Sequence, residues 1–413
     1  MRGSLLLRSS SALILTTALT SALGLVFWAI AARHYTATTV GRASALLAAA
    51  SLIGGFAQLN LGAILVRFLP TAGVATGRFI SRSYAVSCGL AVLLAIGFAE
   101  LGLGHPYLGT SALQVSLFAG AVVLLLVFAL QDSVLTGLRA APVVLGENFV
   151  FAVLKLILLV TLAVHLAGSG IIVAWMAPVA LAVLGVGIYL SRVAVPGHVA
   201  AAGGASDLPG ARRLWALVAA EYVKSLLGSL TTLALPLLVA ARLGLASTAY
   251  FAIPWLINGA ILSAFDSIAA AFVVESAFES NRWRPMLRQL LLIGGTVVVV
   301  GTTVELAGAH VVLSVIGHRY AAHGATLMRL LALGIPFSAV YSLYATFAWM
   351  EQKLWRLVAL EGGATLVMLL PAALLLTHFG LDTIGWSGFG SSVVLGVGSV
   401  RPIRRRLRGR GGT

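Results

Sequence analysis

Lys155, Lys224, Glu221 and Asp266 each stand well inside a long run of apolar residues. A charge in that setting costs about 2.5–3.5 kcal/mol on the membrane-insertion scale, so each needs a cavity or a partner. Lys155 lies about twelve residues into its run and Lys224 about ten, roughly 18 Å and 15 Å at 1.5 Å per residue. An ammonium at such depth can attract a phosphate as a hydrated point charge. Lys155 has no acid within one turn on its own helix, which favours a substrate-cavity role. Glu221 precedes Lys224 by one helical turn on the same face. That pair reads equally as part of a cavity or as a self-neutralising structural unit. Asp266, about eight residues or roughly 12 Å from the cytoplasmic end of its run, is the candidate for coupling to protons or Na⁺. Pro236 and Pro336 are the candidate hinges, because each removes a backbone donor and bends its helix. Pro178, Pro254 and Pro371 read as ordinary membrane-helix prolines. The remaining acids, Glu100, Glu147, Glu305, Glu351, Glu361 and Asp382, are expected at helix ends and require no functional role.

The elements that would position these residues are membrane spans. Hydrophobic residues make up 60% of the 413, charged residues 9%, and a soluble core cannot absorb that balance. About 20 apolar residues cross the hydrocarbon layer, and the chain divides into about twelve such runs. They are Ser10–Ala32, Ala43–Val66, Tyr84–Gly102, Ala112–Leu135, Val143–Leu166 and Gly170–Leu190 in the first half. Leu214–Val239, Thr248–Val274, Gln289–Ala309, Leu327–Met350, Leu357–Thr377 and Thr383–Val400 follow in the second. The opening residues look like a signal peptide, but the apolar run continues through FWAIAA and reads as an uncleaved first span. The sequence therefore predicts an all-α polytopic membrane protein.

With the N-terminus inside, basic residues favour the inner segments by roughly four to one. Arg33, Arg42, Arg242, Arg319 and Arg329 are the outer ones. Both termini are expected to be cytoplasmic. The net charge of +15 and pI near 11 follow from this topology and from attraction to anionic lipids at the basic cytoplasmic loops; no nucleic-acid partner is expected. The basic tail, 401–413, should end in disorder. Cys88 stands alone, so no internal disulfide is possible. The histidines match no metal spacing, although His318 and His323 are close in sequence. No metal, cofactor or catalytic residue is expected, and no P-loop pattern for ATP occurs.

The longest polar connection, Ser191–Arg213, lies near the chain midpoint and is rich in Gly, Ala and Pro. It separates an N-terminal six-helix lobe (1–192) from a C-terminal one (213–400), with 193–212 as the cytoplasmic linker. A weak echo agrees: Ala31-Ala32-Arg33 with Ala37-Thr38-Thr39 recurs as Ala240-Ala241-Arg242 with Ala246-Ser247-Thr248. Two halves that both start inside and hold six spans form a parallel repeat about the membrane normal.

The segments FWAIAARHYTATTVGRASALLAAASLIGGFAQLNLGAILVRFLP, LALPLLVAARLGLASTAYFAIPWLI and GHRYAAHGATLMRLLALGIPFSAVYSLY resemble polysaccharide flippases of the MATE-like (MOP) superfamily, the Wzx-type membrane proteins. The resemblance implies two six-helix lobes around a central cavity and translocation of a polyprenyl-(pyro)phosphate-linked oligosaccharide across the bacterial cytoplasmic membrane. It also implies glycan polymerase or export partners. Twelve spans rather than fourteen, and the lack of first-span arginines, set the chain apart from peptidoglycan-precursor flippases. A drug or metabolite antiporter of the same fold is the alternative, and it would need ion-coupling carboxylates. A glycan polymerase or ligase would carry a large outer loop, whereas the longest expected here is about 17 residues, His310 to Thr326.

Orientation is directly testable. Reporter fusions placed after Gly197 and after Gly409 are expected to report cytoplasm in both cases. An outside signal at either position overturns the orientation, and opposite signals refute the even span count.

Overall fold

The computed structural model describes residues 23–104, 107–162, 166, 168–201, 222, 233–278, 283–350 and 354–409. Fourteen helices carry these residues. The first seven are α1 (Leu23–His34), α2 (Ala37–Ala57), α3 (Leu61–Phe68), α4 (Thr76–Glu100), α5 (Ala112–Gly137), α6 (Ala141–Leu162) and α7 (Gly170–Tyr189). A five-residue π turn joins α7 to α8 (Val195–Ala201). Then come α9 (Leu233–Leu243), α10 (Leu245–Phe278), α11 (Trp283–Ile316), α12 (His318–Met350), α13 (Leu354–Phe379) and α14 (Asp382–Gly409). Nine stretches among the described residues are long and apolar enough to cross a membrane. Helices dominate because every backbone N–H and C=O then bonds within its own segment, which lipid demands. Large side chains such as Leu93, Leu184, Leu292 and Leu366 are exposed on these helices, as a lipid-facing surface requires.

Several boundaries differ from those expected. The second span is not one helix: Leu59 and Asn60 adopt φ of 51° and 54°, and the break separates α2 from α3. Asn60 tolerates that left-handed backbone, whereas Leu59 sits there at a steric cost. The connection from His310 to Thr326, expected on the outer side, is also helical, with Gly317 alone separating α11 from α12. No extended outer loop forms there, because apolar residues continue the helical pattern on both sides of the glycine. The basic tail continues α14 to Gly409, and its last residues, where disorder is expected, lie outside the described residues. Most of the first span, the centre of the linker, Glu221 and Lys224 lie outside the described residues.

The chain separates into two compact units, formed by the described residues of Met1–Arg33 with Ala246–Thr413 and of His34–Leu245. These units are not the sequence halves. The first helix of each half groups with the later helices of the other, and the chain crosses at Arg33–His34 and Leu245–Ala246. Both crossings fall within the repeated Ala-Ala-Arg segments, where α1 gives way to α2 and α9 to α10. Gly244, at φ 84°, makes the second of these junctions in a single left-handed residue. In the unit containing α1, Arg33 closes the contact by donating through Nε (3.0 Å) and Nη2 to the carbonyl of Val315. That carbonyl belongs to the last turn of α11, where a cation is favoured by both hydrogen bonding and the helix dipole.

Within the His34–Leu245 unit the core forms where α2, α3, α4 and α5 meet, around Ala49, Ile53, Leu65, Ala91, Leu126 and Leu130. A capping box between Ser111 and Gln114 starts α5. In the other unit α14 is the least apolar of the late helices and does not qualify as a span by composition. It is held by small residues. Gly385, Gly388, Ser392 and Gly396 lie along one face and meet Leu330, Leu331, Gly334 and Phe337 of α12. Such a stripe lets two helices approach closely and gain dispersion contacts that lipid cannot replace.

The contact of Gly396 with the Phe337 backbone gives a paired prediction. A Cβ on Gly396 would lie 2.8 Å from Cβ and 2.9 Å from Cα of Phe337, whereas one on Gly362 of α13 meets nothing within 4 Å. Gly396→Ala is expected to destabilise the purified protein by about 1–3 kcal/mol. Gly362→Ala should be neutral or stabilising by about 0.5–1 kcal/mol, since alanine is the better helix former. Thermal unfolding in detergent, followed by size exclusion, distinguishes the two.

Candidate functional site

Polar side chains within the spans gather in one region of each unit. In the His34–Leu245 unit they lie between α5 and α6. Asp132 is about five residues before the end of α5 and Glu147 about six after the start of α6, so each is roughly 8–9 Å along its helix from the connecting turn. Asn148 donates through Nδ2 to both oxygens of Asp132, at 3.3 and 3.2 Å. Both carboxylate oxygens of Glu147 are buried without a hydrogen-bond partner, as is the hydroxyl of Tyr84 on α4. Tyr84, Asp132 and Glu147 are close enough to interact electrostatically. Glu147 is thus part of a polar cluster rather than an isolated helix-end acid, and Asp132 is a member that the sequence reading missed. Its Gln131-Asp132-Ser133 context, inside an otherwise apolar run, was the available signal.

The same face of α6 leads outward from this cluster to Lys155. Phe151 stands between them, its ring 5.3 Å from Phe128 of α5 and 6.1 Å from Trp175 of α7. Lys155 is 5% exposed, and its Nζ lies 4.7 Å from the Phe151 ring centroid and 4.3 Å from that of Trp175. The spacing explains the geometry: Asn148, Phe151 and Lys155 recur at three and four residues and line one stripe. Two aromatic faces offer negative π density to the ammonium, which offsets part of its desolvation cost. Lys155 is buried, packed between rings in this conformation.

Lys224 and Glu221 lie outside the described residues. Their neighbour Tyr222 is described, and its hydroxyl donates to the carbonyl of Phe56 at 3.0 Å. That carbonyl belongs to the last turn of α2, just before the break at Leu59, where the helix cannot supply a full set of internal donors. Pro236 is buried within α9, and Pro336 lies exposed within α12.

In the other unit, Asp266 of α10 accepts a hydrogen bond from the Ser342 hydroxyl of α12. Tyr341, next to Ser342, donates to Glu361 of α13 at 2.5 Å. Asp266 itself is exposed. The apolar run of α10 continues past it through residues 269–274. A second carboxylate is deeper. Glu305 of α11 is 0% exposed and accepts from Asn258 Nδ2 of α10 at 3.0 Å. The sequence reading placed Glu305 at a helix end because the apolar run was taken to stop at Ala309. The helix continues to Ile316, and that extension moves Glu305 inward.

Among the described residues, no group of three or more His, Cys, Asp or Glu is arranged to hold a metal ion. What these clusters can do is hold or exchange protons and small cations, or, at Lys155, meet an anion. Buried polar groups of this kind within spans mark ion and substrate pathways in membrane proteins.

No family model and no curated protein matches the chain. Solved structures do. The chain is similar to the lipid II flippase MurJ in an inward closed conformation, with a TM-score of 0.72 at 11% identity, over 94% of this chain and 87% of that one. It is also similar to an inward-facing multidrug resistance MATE family transporter of the MOP superfamily, with a TM-score of 0.67 at 14% identity, over 96% of both chains. A MATE transporter in the straight conformation gives a TM-score of 0.60 at 17% identity, over 99% and 96%. At these identities the likeness speaks for the fold, and it extends over nearly the whole chain. The protein is an all-α polytopic membrane protein with the fold of the MurJ and MATE transporters.

Proposed function

We propose that this protein is a flippase that moves a polyprenyl-(pyro)phosphate-linked oligosaccharide from the inner to the outer leaflet of the bacterial cytoplasmic membrane. The observation that carries this reading is the full-length fold likeness to a lipid II flippase, joined to the sequence resemblance to polysaccharide flippases. The halves 1–192 and 213–400 would alternate access, with the sugar headgroup inside and the polyprenyl tail left in lipid. Both termini would face the cytoplasm, and the proposed partners are the lipid-linked glycan, anionic lipids and the glycan polymerase or export machinery. No covalent step is required. Lys155 supports the reading through its chemistry. An ammonium resting on π faces is held by about 0.5–2 kcal/mol per such contact, weakly enough to exchange the rings for a phosphate when the site opens.

A second reading, a drug or metabolite antiporter, is favoured by the membrane-embedded carboxylates Asp132, Glu147, Asp266 and Glu305. These could couple cargo movement to an ion gradient.

Depletion of the protein separates the two readings. Lipid-linked sugar is expected to accumulate on the cytoplasmic side, detected by mass spectrometry of extracted lipids. If no such lipid accumulates and proteoliposomes instead expel a cationic dye on imposing an ion gradient, the antiporter reading replaces the flippase.

The role of Lys155 is tested by two substitutions. Lys155→Met keeps the stem against both rings and deletes the charge, so transport should fall at least tenfold at unchanged abundance. Trp175→Leu removes one π face and is expected to lower thermal stability by about 0.5–2 kcal/mol. Normal transport by Lys155→Met would remove the lysine from the site.

A further inference from the structure

We propose that Glu305 is a proton-binding site within the membrane, neutral in the conformation described and ionised when α10 and α11 part or water enters. The inference goes beyond the flippase reading and holds whatever the cargo.

Glu305 lies about eleven residues before the end of α11 at Ile316, roughly 16 Å at 1.5 Å per residue, which is inside the hydrocarbon core. Its residue surface is fully covered. Oε2 accepts from Asn258 Nδ2 at 3.0 Å, while Oε1 is buried and has no hydrogen-bond partner. One turn earlier on the same helix, Thr302 Oγ1 is also buried without a partner. Packing admits little else: a Cβ on Gly301 would lie 2.6 Å from Ile261 of α10, and one on Gly294 would lie 2.8 Å from Phe265. The carboxyl is therefore enclosed in a close helix–helix contact and is not open to bulk water.

Charged groups on the packed elements do not compensate it. On α10, Asp266 lies about eight residues away, roughly 12 Å along the axis, and is engaged with Ser342. Tyr250, near the other end of α10, stacks on His323 and meets Tyr320 edge-on. Arg329 of α12 and Arg288 and His310 of α11 are exposed. Among the described residues, Asn258 supplies the hydrogen bond to the Glu305 carboxyl, on Oε2, and Oε1 has none. An isolated carboxylate in such a medium neutralises itself instead of remaining charged. A proton fits better than a hard metal cation, which takes about six or more oxygens. The polar side chains assembled here are Glu305, Asn258 and Thr302.

The chemistry is a simple dissociation. Breaking the Oε1–H bond sends the proton to water and leaves the electron pair on the carboxylate. The packed contact contains no stabiliser for that anion except the Asn258 amide, so ionisation must accompany separation of α10 and α11 or entry of water. Proton occupancy and the packing of these helices are thereby linked, since the packed arrangement binds the proton and the loosened one releases it.

Two measurements test this. Infrared difference spectra of wild-type protein minus Glu305→Gln, in membranes at about pH 7, are expected to show a carboxylic-acid C=O stretch assigned to Glu305. Carboxylate bands alone would overturn the proposal. Glu305→Gln is isosteric with the neutral acid and should accumulate normally. The second measurement requires no variant. In hydrogen–deuterium exchange of the wild type in membranes, amides of α10 and α11 around Asn258 and Glu305 should exchange at least tenfold faster at about pH 9 than at about pH 6 after correction for the intrinsic rate, because the loosened arrangement releases the proton. Protection independent of pH would refute the linkage between proton and packing.

Discussion

Every backbone amide within the hydrocarbon layer must find its hydrogen-bond partner inside the chain, because lipid offers none. That requirement makes the described residues helical almost throughout and determines what can happen where a helix stops. At Leu59–Asn60 the backbone turns left-handed, and the neighbouring carbonyl of Phe56 is taken up by Tyr222. At the end of α11 the carbonyl of Val315 is taken up by Arg33. Interruptions are thus sealed by side chains from distant parts of the sequence, and those side chains fasten the helices together.

The same scarcity of partners governs the polar side chains. Lipid supplies little net drive for one apolar helix to leave it for another, so association relies on close approach and on polar contacts. The stripe of Gly385, Gly388, Ser392 and Gly396 supplies the first, and Ser338–Ser392, Asn148–Asp132, Ser342–Asp266 and Tyr341–Glu361 supply the second. Lys155 rests against two aromatic faces.

Composition and run length were enough to read the fold class, because about 20 apolar residues per span is a strong signal. Helix limits were harder. Gly317 and the residues around His310 and His318 look polar enough for a loop, yet α11 runs to Ile316 and α12 resumes at His318, which places Glu305 away from a helix end. Lys155 was legible because FAVLKLILL places no acid within one helical turn of it. Its aromatic surroundings were not, since Trp175 comes from the next helix and nothing in one sequence pairs the two. Asp132 and Glu147 were obscured for the same reason: they belong to different helices and meet through the α5–α6 turn. The division into contact units was invisible as well. The echo of Ala-Ala-Arg marked the repeats, but gave no hint that the first helix of each would group with the later helices of the other.

That exchange sets a schedule for synthesis. Arg33 and the carbonyl it holds are 282 residues apart, so the first helix enters the membrane long before its partner exists. At about 5–20 residues per second the interval is roughly 14–56 s. Throughout that time α1 must persist without this partner, with the guanidinium of Arg33 held elsewhere than on Val315. An insertion apparatus that shelters early helices, or an interfacial headgroup that engages the arginine, would therefore influence how much of this protein reaches its native state.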